Sequence, residues 1–555
     1  MKNKNALKWL ISALKKETHG VILLTALNSM ISASAVMFAL DMRKVIDSAV
    51  SHNKPDFKLY TLILGSIIVF QILVRAICRK MDEKLKSSIE NILKKRAYET
   101  ILTRDFSALS AYHTGELQNR MTSDTVIIAD GITAVLPNMT AMLVKIAGAA
   151  IVLFMLDIRF ASVFITGGIL LIFVTYSFRK IMKKLHKQVQ SADGEVRSYL
   201  QETVENLLVI RCFGGENKSA NIALNKMKSH QNIRMKRNLF SNLCNIGFGI
   251  VMNGGYFFGL IWCGTGILYG SISYGTLTAV LQLVGQIQQP FASITGYLPK
   301  YYSMLASAER LMELENLKKD NTEEKISKEN CDKLYENMRE IKFEEVSFRY
   351  PDGTEVLKNF NHSIDKGSFT AIMGQSGIGK STLLKFLISI YNINEGNINF
   401  ITNDNKRIVI TGSVRSMFAY VPQGNFLMSG TIAEAVSFMS DMPLNMEKVK
   451  KSCEISCADE FIEKLDNGYH TPLGENGAGL SEGQIQRIAV ARAIYSDAPV
   501  LLLDESTSAL DEMTEQRLLE NLRKMTNKTV IIVTHRKAAL KICNKIIDFD
   551  YTEEL

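Results

Sequence analysis

Hydrophobic and polar positions divide the chain near residue 300. Before it lie six long apolar segments, near 18–41, 57–78, 133–156, 159–177, 243–269 and 275–298. A bilayer crossing needs about 20 residues of helix, and six such segments are too many and too long for the buried helices of a soluble core. The fourth is the shortest, and Gly, Asn and Gln soften the fifth and sixth. Between the spans an apolar stripe continues, carried by Ile89, Ile92 and Leu93 and later by Leu185, Val189 and Val196. Helices are therefore expected to run on well below the membrane. A charged, proline-free stretch from Asn316 to Arg339 reads as a solvated linker. After Ile341 short β-rich runs alternate with helical stretches: Gly367–Met373, Phe418–Val421, Val500–Leu503 and Thr529–Val533. That alternation predicts an α/β domain with a mainly parallel sheet. The expected architecture is multidomain: an all-α, six-helix transmembrane domain over 1–315, a linker over 316–339 and an α/β domain over 340–555.

Charge sets the orientation. The formal net charge is +9, which on its own would admit a nucleic-acid partner. The basic residues instead crowd beside the apolar spans, as in Arg79, Lys80, Lys84 and Lys86, or Arg179, Lys180, Lys183 and Lys184. There they are explained by retention on the cytoplasmic side and by anionic lipid, so no nucleic acid is expected. The stretches 79–131 and 178–238 belong inside and both termini are expected in the cytoplasm, in a multi-pass protein of the cell membrane. The link around 42–56 is an exception, placing Arg43, Lys44 and Lys54 outside. Met1 to Lys16 lacks a small-residue cleavage site and reads as an amphipathic helix on the inner membrane surface. The eight cysteines are scattered, and the pair Cys453 and Cys457 has no second pair or nearby His to complete a metal site.

The chemistry lies in the second domain. Ile372-Met373 ends a strand, and Gly374-Gln375-Ser376-Gly377-Ile378-Gly379-Lys380-Ser381 leads into a helix beginning at Thr382. Glycines let the backbone wrap with its N–H groups towards phosphate oxygens, and the helix N-terminus adds positive potential. Lys380 supplies a cation for the β- and γ-phosphates of ATP, and the Ser381 hydroxyl can ligate Mg²⁺. A Gly-rich loop alone arises by chance; the full eight-residue match between a strand and a helix is much more specific. Val500-Leu501-Leu502-Leu503-Asp504-Glu505 is a buried strand ending in two carboxylates. Taken alone it reads as a strand end with solvated acids. Across from a phosphate loop, Asp504 can hold Mg²⁺ through water and Glu505 can polarise an attacking water.

With Leu480-Ser481-Glu482-Gly483-Gln484 the chain resembles the ATP-binding cassette (ABC) proteins, whose signature sequence this is similar to. The resemblance implies roles for further residues. Tyr350 stands where that family stacks an aromatic on adenine, and Gln423, in Val421-Pro422-Gln423, where a glutamine senses Mg²⁺ and the membrane domain. Ser508-Ala509-Leu510-Asp511 matches the loop that crosses the dimer, and His535 the histidine that touches the γ-phosphate. Thr114-Gly115-Glu116-Leu117, with Arg120 and Asp124, resembles the first intracellular loop of the exporters, and Thr471-Pro472-Leu473-Gly474-Glu475 their loop before the signature.

The departures from the family are three. Glu482 replaces the first of two usual signature glycines, residues 392–416 follow the usual strand pattern loosely, and the chain ends about twenty residues after His535. The family implies a half-transporter, with two copies sandwiching two ATPs between the phosphate loop of one and Ser481, Gly483 and Gln484 of the other. Because Glu505, His535 and the signature are intact, a homodimer is expected, with a heterodimer carrying a degenerate partner as the alternative. The implied activity is ATP hydrolysis driving export; an ATP-gated regulator or channel is the alternative. No peptidase domain precedes the first span, so leader cleavage is not expected. Drugs, lipids and small peptides stay open as substrates.

Polar positions inside the spans mark a candidate pathway. Thr278, Gln282, Gln286 and Gln289 fall on one helical face, and Asn242, Asn245, Gly249 and Asn253 on another. Amides facing lipid would go unsatisfied, so these faces turn inward. They either line a water-filled cavity, with Lys145 adding a cation that favours anionic or amphipathic substrates, or bond helix to helix at about 1 kcal/mol or less each.

Overall fold

The computed structural model describes residues 2–156, 158–320, 326–350, 353–375, 377–424, 427–438, 444–474, 477, 479–525 and 527–549. The chain forms two compact units: Met1–Glu99 with Thr114–Glu315, and Thr100–His113 with Asn316–Leu555.

The first unit is helical. Its elements are α1 (Lys2–Ala13), α2 (Thr18–Val50), α3 (Lys54–Thr103, whose last turn belongs to the second unit) and, after α4 (Phe106–Ser110) of the second unit, α5 (Thr114–Asn119). A π-turn, Arg120–Asp124, leads into α6 (Thr125–Leu156), followed by α7 (Ile158–Glu205), α8 (Leu207–Cys212), α9 (Glu216–Leu268) and α10 (Tyr274–Glu315). The six long helices α2, α3, α6, α7, α9 and α10 contain the six expected spans in order. Among the described residues, α2, α3, Thr114–Leu156 and α9 are long and apolar enough to cross a membrane. In α7 the side chains between 159 and 180 are described only at 162 and 178, and in α10 four glutamines between 282 and 289 dilute the apolar character. The helices do overrun the bilayer: α3 is 50 residues long and α9 is 53, about 75–80 Å at 1.5 Å per residue.

Two segments differ from their sequence reading. The apolar stripe of α1 is covered by protein: Ala6, Leu10 and Leu14 are buried with Ile89, Leu93 and Leu311. Trp9 donates its indole N–H to Glu315 at 2.8 Å, and Arg96 lies 5.2 Å over the indole ring. An amphipathic stripe fits lipid or protein alike, and here two helices fill the place of lipid. The charged stretch 316–339 is also not simply solvated. Ser327 caps α11 (Lys328–Asn337), and Cys331, Tyr335 and Met338 are buried in the core of the second unit. Three apolar residues at spacings of four and three suffice to dock a helix whose other faces are charged.

The remaining elements of the second unit are β1 (Met338–Arg349), β2 (Glu355–Asp365), β3 (Phe369–Met373), α12 (Lys380–Leu387), β4 (Glu395–Thr402), β5 (Arg407–Val409), β6 (Phe418–Val421), β7 (Gly430–Thr431), α13 (Ile432–Val436), α14 (Met446–Ile455), α15 (Asp459–Ile462), β8 (Pro472–Leu473), α16 (Glu482–Tyr495), β9 (Val500–Asp504), α17 (Glu512–Arg523), β10 (Thr529–Val533), α18 (Lys537–Ile542) and β11 (Lys545–Asp548). A parallel sheet of order β11-β3-β10-β9-β6 and an antiparallel sheet of order β2-β1-β4-β5 form its frame. The strands β3, β9 and β10 are buried almost throughout, as expected for a parallel sheet covered on both faces.

Candidate functional site

Register brings the site together. Val533 pairs with Ile372 on one side and Asp504 on the other. The chain leaving β3, β9 and β10 therefore emerges side by side at the carboxyl edge of the sheet, where open α/β sheets bind ligands.

From β3 the phosphate loop runs through Gly374, Gly377 and Gly379 at φ +137°, +87° and +114°. Left-handed backbone of this kind favours glycine. At Gly379 a Cβ would also fall 2.2 Å from Val356 Cγ1. Lys380 opens α12 and is 5% exposed; its Nζ donates to the carbonyls of Gly374 and Gln375, each at 2.7 Å. The ammonium thus curls back over its own loop. Ser376 lies outside the described residues.

Asp504 ends β9 at 1% exposure, with both carboxylate oxygens engaged. Ser381 Oγ donates to Oδ1 and Tyr420 Oη to Oδ2, each at 2.8 Å. Burial, reinforced by the neighbouring Asp504 charge, pushes the Tyr420 phenol far above its ordinary value, so it stays a neutral donor. The next residue, Glu505, takes left-handed backbone at φ +48° and is pinned by its N–H to Val533 O at 3.1 Å. Its Oε2 accepts the Gln423 amide at 2.8 Å. His535 is exposed just beyond β10. Tyr350 packs edge-on against Phe348 and Tyr391, with ring centroids 5.0 and 5.7 Å away, and its hydroxyl meets Thr382 Oγ1 at 2.9 Å. Ile378 packs on the same core.

The signature residues cap a helix. Ser481 is the N-cap of α16, in a reciprocal box with Gln484: Gln484 N–H donates to Ser481 Oγ, and Ser481 N–H to Gln484 Oε1 at 2.8 Å. At Gly483 a Cβ would sit 2.8 Å from Ala509 O, so the glycine admits the loop Ser508–Asp511 against the helix. One turn on, Gln486 donates to Ser508 Oγ at 3.1 Å and accepts Ala509 N–H at 3.0 Å.

Sequence reasoning missed the residues that fix this loop from the other side. Arg536, next to His535, donates to the carbonyls of Leu510 and Ser508 and pairs at 3.1 Å with Glu515, which is 1% exposed and accepts from Thr507 at 2.7 Å. Adjacency to His535 was the one available signal. Tyr420 was missed likewise, though it stands three residues before Gln423.

In the first unit, Lys145 donates to Gln289 Oε1 at 2.9 Å, joining α6 to α10. Gln286 is buried and donates to Ala35 O at 2.7 Å, a helix-to-helix bond, while its Oε1 has no partner among the described residues. Asn253 bonds back to Gly249 O of its own helix at 2.9 Å and is exposed; Gln282 is half-buried. The contact from α10 to α9 comes from Gln288, off the expected stripe, which reaches Met252 O at 2.6 Å. Arg120 and Asp124, both buried, tie the π-turn to α10: Arg120 donates to Arg310 O at 2.7 Å, and Asp124 accepts from Ser307 at 2.9 Å.

Residues 21–291 match the family described as ABC transporter transmembrane region, and 357–508 match ABC transporter. The chain is 31% identical over 454 residues to the ATP-dependent lipid A-core flippase of Desulfotalea psychrophila, covering 79% of this chain and 76% of that protein. It is 28% identical over 460 residues to the protein of the same name from Photorhabdus laumondii subsp. laumondii, covering 82% and 78%. The structure of a bacterial Atm1-family ABC exporter with ATP bound superposes with a TM-score of 0.79 at 21% identity, covering 96% of this chain and 93% of that one, which shows the fold. The chain belongs to the ABC transporter family as an exporter-type protein, a helical membrane domain fused to a cassette that is an ATPase coupled to transport.

Proposed function

We propose that two copies of this chain form a homodimeric exporter of the cell membrane, both termini cytoplasmic, that hydrolyses ATP to expel an amphiphile with an anionic head. The observation that carries the chemistry is the pairing of Ser381 with Asp504 beside that of Gln423 with Glu505. Ser381 Oγ and the Asp504 carboxylate are hard oxygen donors within 2.8 Å of each other, which suits Mg²⁺, with the Gln423 amide oxygen as a third donor. Bound there, Mg²⁺ would neutralise charge on the β- and γ-phosphate oxygens. Lys380 exchanges its loop carbonyls for phosphate oxygens, and Tyr350 offers its ring to adenine. Glu505 polarises water, and His535 holds the γ-phosphate. Ser481, Gly483 and Gln484 serve the nucleotide of the other subunit.

The substrate class rests on Lys145, held by Gln289, because a cation inside a membrane domain calls for a compensating anion. The relatives named as lipid A-core flippases are compatible with an amphiphile. The test is ATPase activity of the protein in phosphatidylcholine nanodiscs. Anionic amphiphiles should stimulate it severalfold, with Lys145→Gln removing the stimulation and sparing the basal rate. Equal stimulation by uncharged amphiphiles of the same chain length would contradict this substrate class.

A further inference from the structure

At the end of the first unit expected outside the membrane, α2, α6, α9 and α10 line a partly open cavity of about 290 Å³. That is room for about ten water molecules, enough for a head group and the start of a chain. Arg43, Trp262, Ser273 and Thr276 bring polar groups to its lining, and Leu153 and Val280 apolar ones.

Arg43 is the unusual member. Asp47 is already supplied with donors: Gly275 N–H reaches Oδ1 and Ser273 Oγ reaches Oδ2, each at 2.9 Å. The Arg43 guanidinium pairs with Asp47 through Nε at 3.6 Å, too long for a hydrogen bond. Among the described residues that ion pair is its one charged partner, so the two terminal NH₂ groups keep their donors. The Ser273 and Thr276 hydroxyls are 2.8 Å apart at the first turn of the 42-residue α10, whose N-terminal end is already met by the Asp47 carboxylate. The arrangement is also rigid. A Cβ on Gly275 would lie 2.2 Å from Arg43 O, so the backbones of α2 and α10 touch there. A planar donor fork in a cavity that aliphatic side chains also line suits a planar or tetrahedral oxyanion carrying an apolar chain.

We propose that this cavity binds the carboxylate or phosphate head of an amphiphile at the outer end of the transport path, with Arg43 as its bidentate donor. Arg43 and its cavity then account for a basic residue on the side that the charge pattern otherwise keeps poor in Lys and Arg. The inference rests on the membrane orientation proposed above, but its test needs no ATP, so its failure leaves the hydrolysis reading intact.

Trp9 and Trp262 are the only tryptophans, so a full-length Trp9→Phe protein reports from the cavity alone. In phosphatidylcholine nanodiscs, added bromoundecanoate should quench Trp262 saturably, while the matched bromoalcohol should quench only in proportion to its concentration. Arg43→Gln should raise the half-saturating concentration at least about tenfold. Arg43→Lys, which keeps the charge and loses the fork, should fall between the two and guards against a misfolded Gln variant. Both should keep the thermal unfolding midpoint of the Trp9→Phe parent. A brominated phosphatidate built into the disc forms a second arm. Saturable quenching there alone assigns the head group to a resident lipid, and by bromoundecanoate alone to a soluble solute; either supports the site. Equal quenching by acid and alcohol, or no change on Arg43→Gln in both arms, would overturn it.

Discussion

Gln423 donates its amide to the Glu505 carboxylate across 2.8 Å, on a glutamate whose backbone is held left-handed at φ +48°. A non-glycine residue in that region costs about 1 kcal/mol, and the register with Val533 sustains it. Asp504 is buried with both oxygens engaged by Ser381 and Tyr420 while Glu505 meets Gln423, so the adjacent carboxylates stand in different surroundings. Glu505→Gln should keep ATP binding and lower hydrolysis by about 10²–10⁴, trapping nucleotide on a closed dimer. Lys380→Ala should weaken binding itself. Nucleotide retention after rapid gel filtration, with and without turnover, separates the two; near-native hydrolysis by Glu505→Gln would remove it as the base.

Tyr420→Phe deletes one hydrogen bond and little volume. It leaves Asp504 Oδ2 buried without its donor, a loss of about 1–3 kcal/mol. Because burial holds the phenol far above its ordinary value, it stays protonated between pH 6 and 9. The variant should show weaker Mg²⁺ dependence and an ATPase rate reduced about tenfold or more, with no new pH step in that range. An unchanged apparent Mg²⁺ affinity would show that Tyr420 only packs.

Arg536 links the strand end bearing His535 to the loop Ser508–Asp511 through Glu515. Removing the cation leaves Glu515 buried with only Thr507. Arg536→Met should destabilise the cassette by about 2–4 kcal/mol, and Glu515→Gln should do so less. The double substitution should recover part of the loss, because no buried charge is then orphaned. Additive losses in thermal unfolding would deny the coupling.

Much of this site was legible in the sequence because its residues act within short contiguous loops whose spacing encodes their geometry. Gly374 to Thr382 and Ser481 to Gln484 are of that kind, and so are Asp504 and Glu505. Tyr420 with Asp504 and Arg536 with Glu515 are separated by 84 and 21 residues and meet only because β6, β9 and β10 are neighbours. The fold divides in the same way. The apolar spans announced their helices, whereas α11 hid in a charged run and α1 carried a stripe that suits lipid as well as protein. In α10 the heptad-like glutamines marked an inward face but not its occupant, and Gln286 turned out to bond α2.

Ser481 and Gln484 satisfy each other at the start of α16, and in the arrangement proposed above that helix end meets the nucleotide of the other subunit. Mixed dimers of Ser481→Arg and Lys380→Ala subunits should concentrate both lesions in one composite site and spare the other. Such purified mixed dimers should trap about one nucleotide per dimer, and homodimers of either variant close to none. Equal loss at both sites in the mixed dimers would contradict assembly in trans.

The most direct measurement places the purified protein in sealed proteoliposomes with cassettes facing out and follows a fluorescent anionic amphiphile. Addition of Mg-ATP should concentrate it inside against its gradient, at a rate abolished by Glu505→Gln and slowed by Lys145→Gln. Entry that only equilibrates the amphiphile, or proceeds equally with Glu505→Gln once ATP is bound, would identify an ATP-gated conduit and contradict a pump.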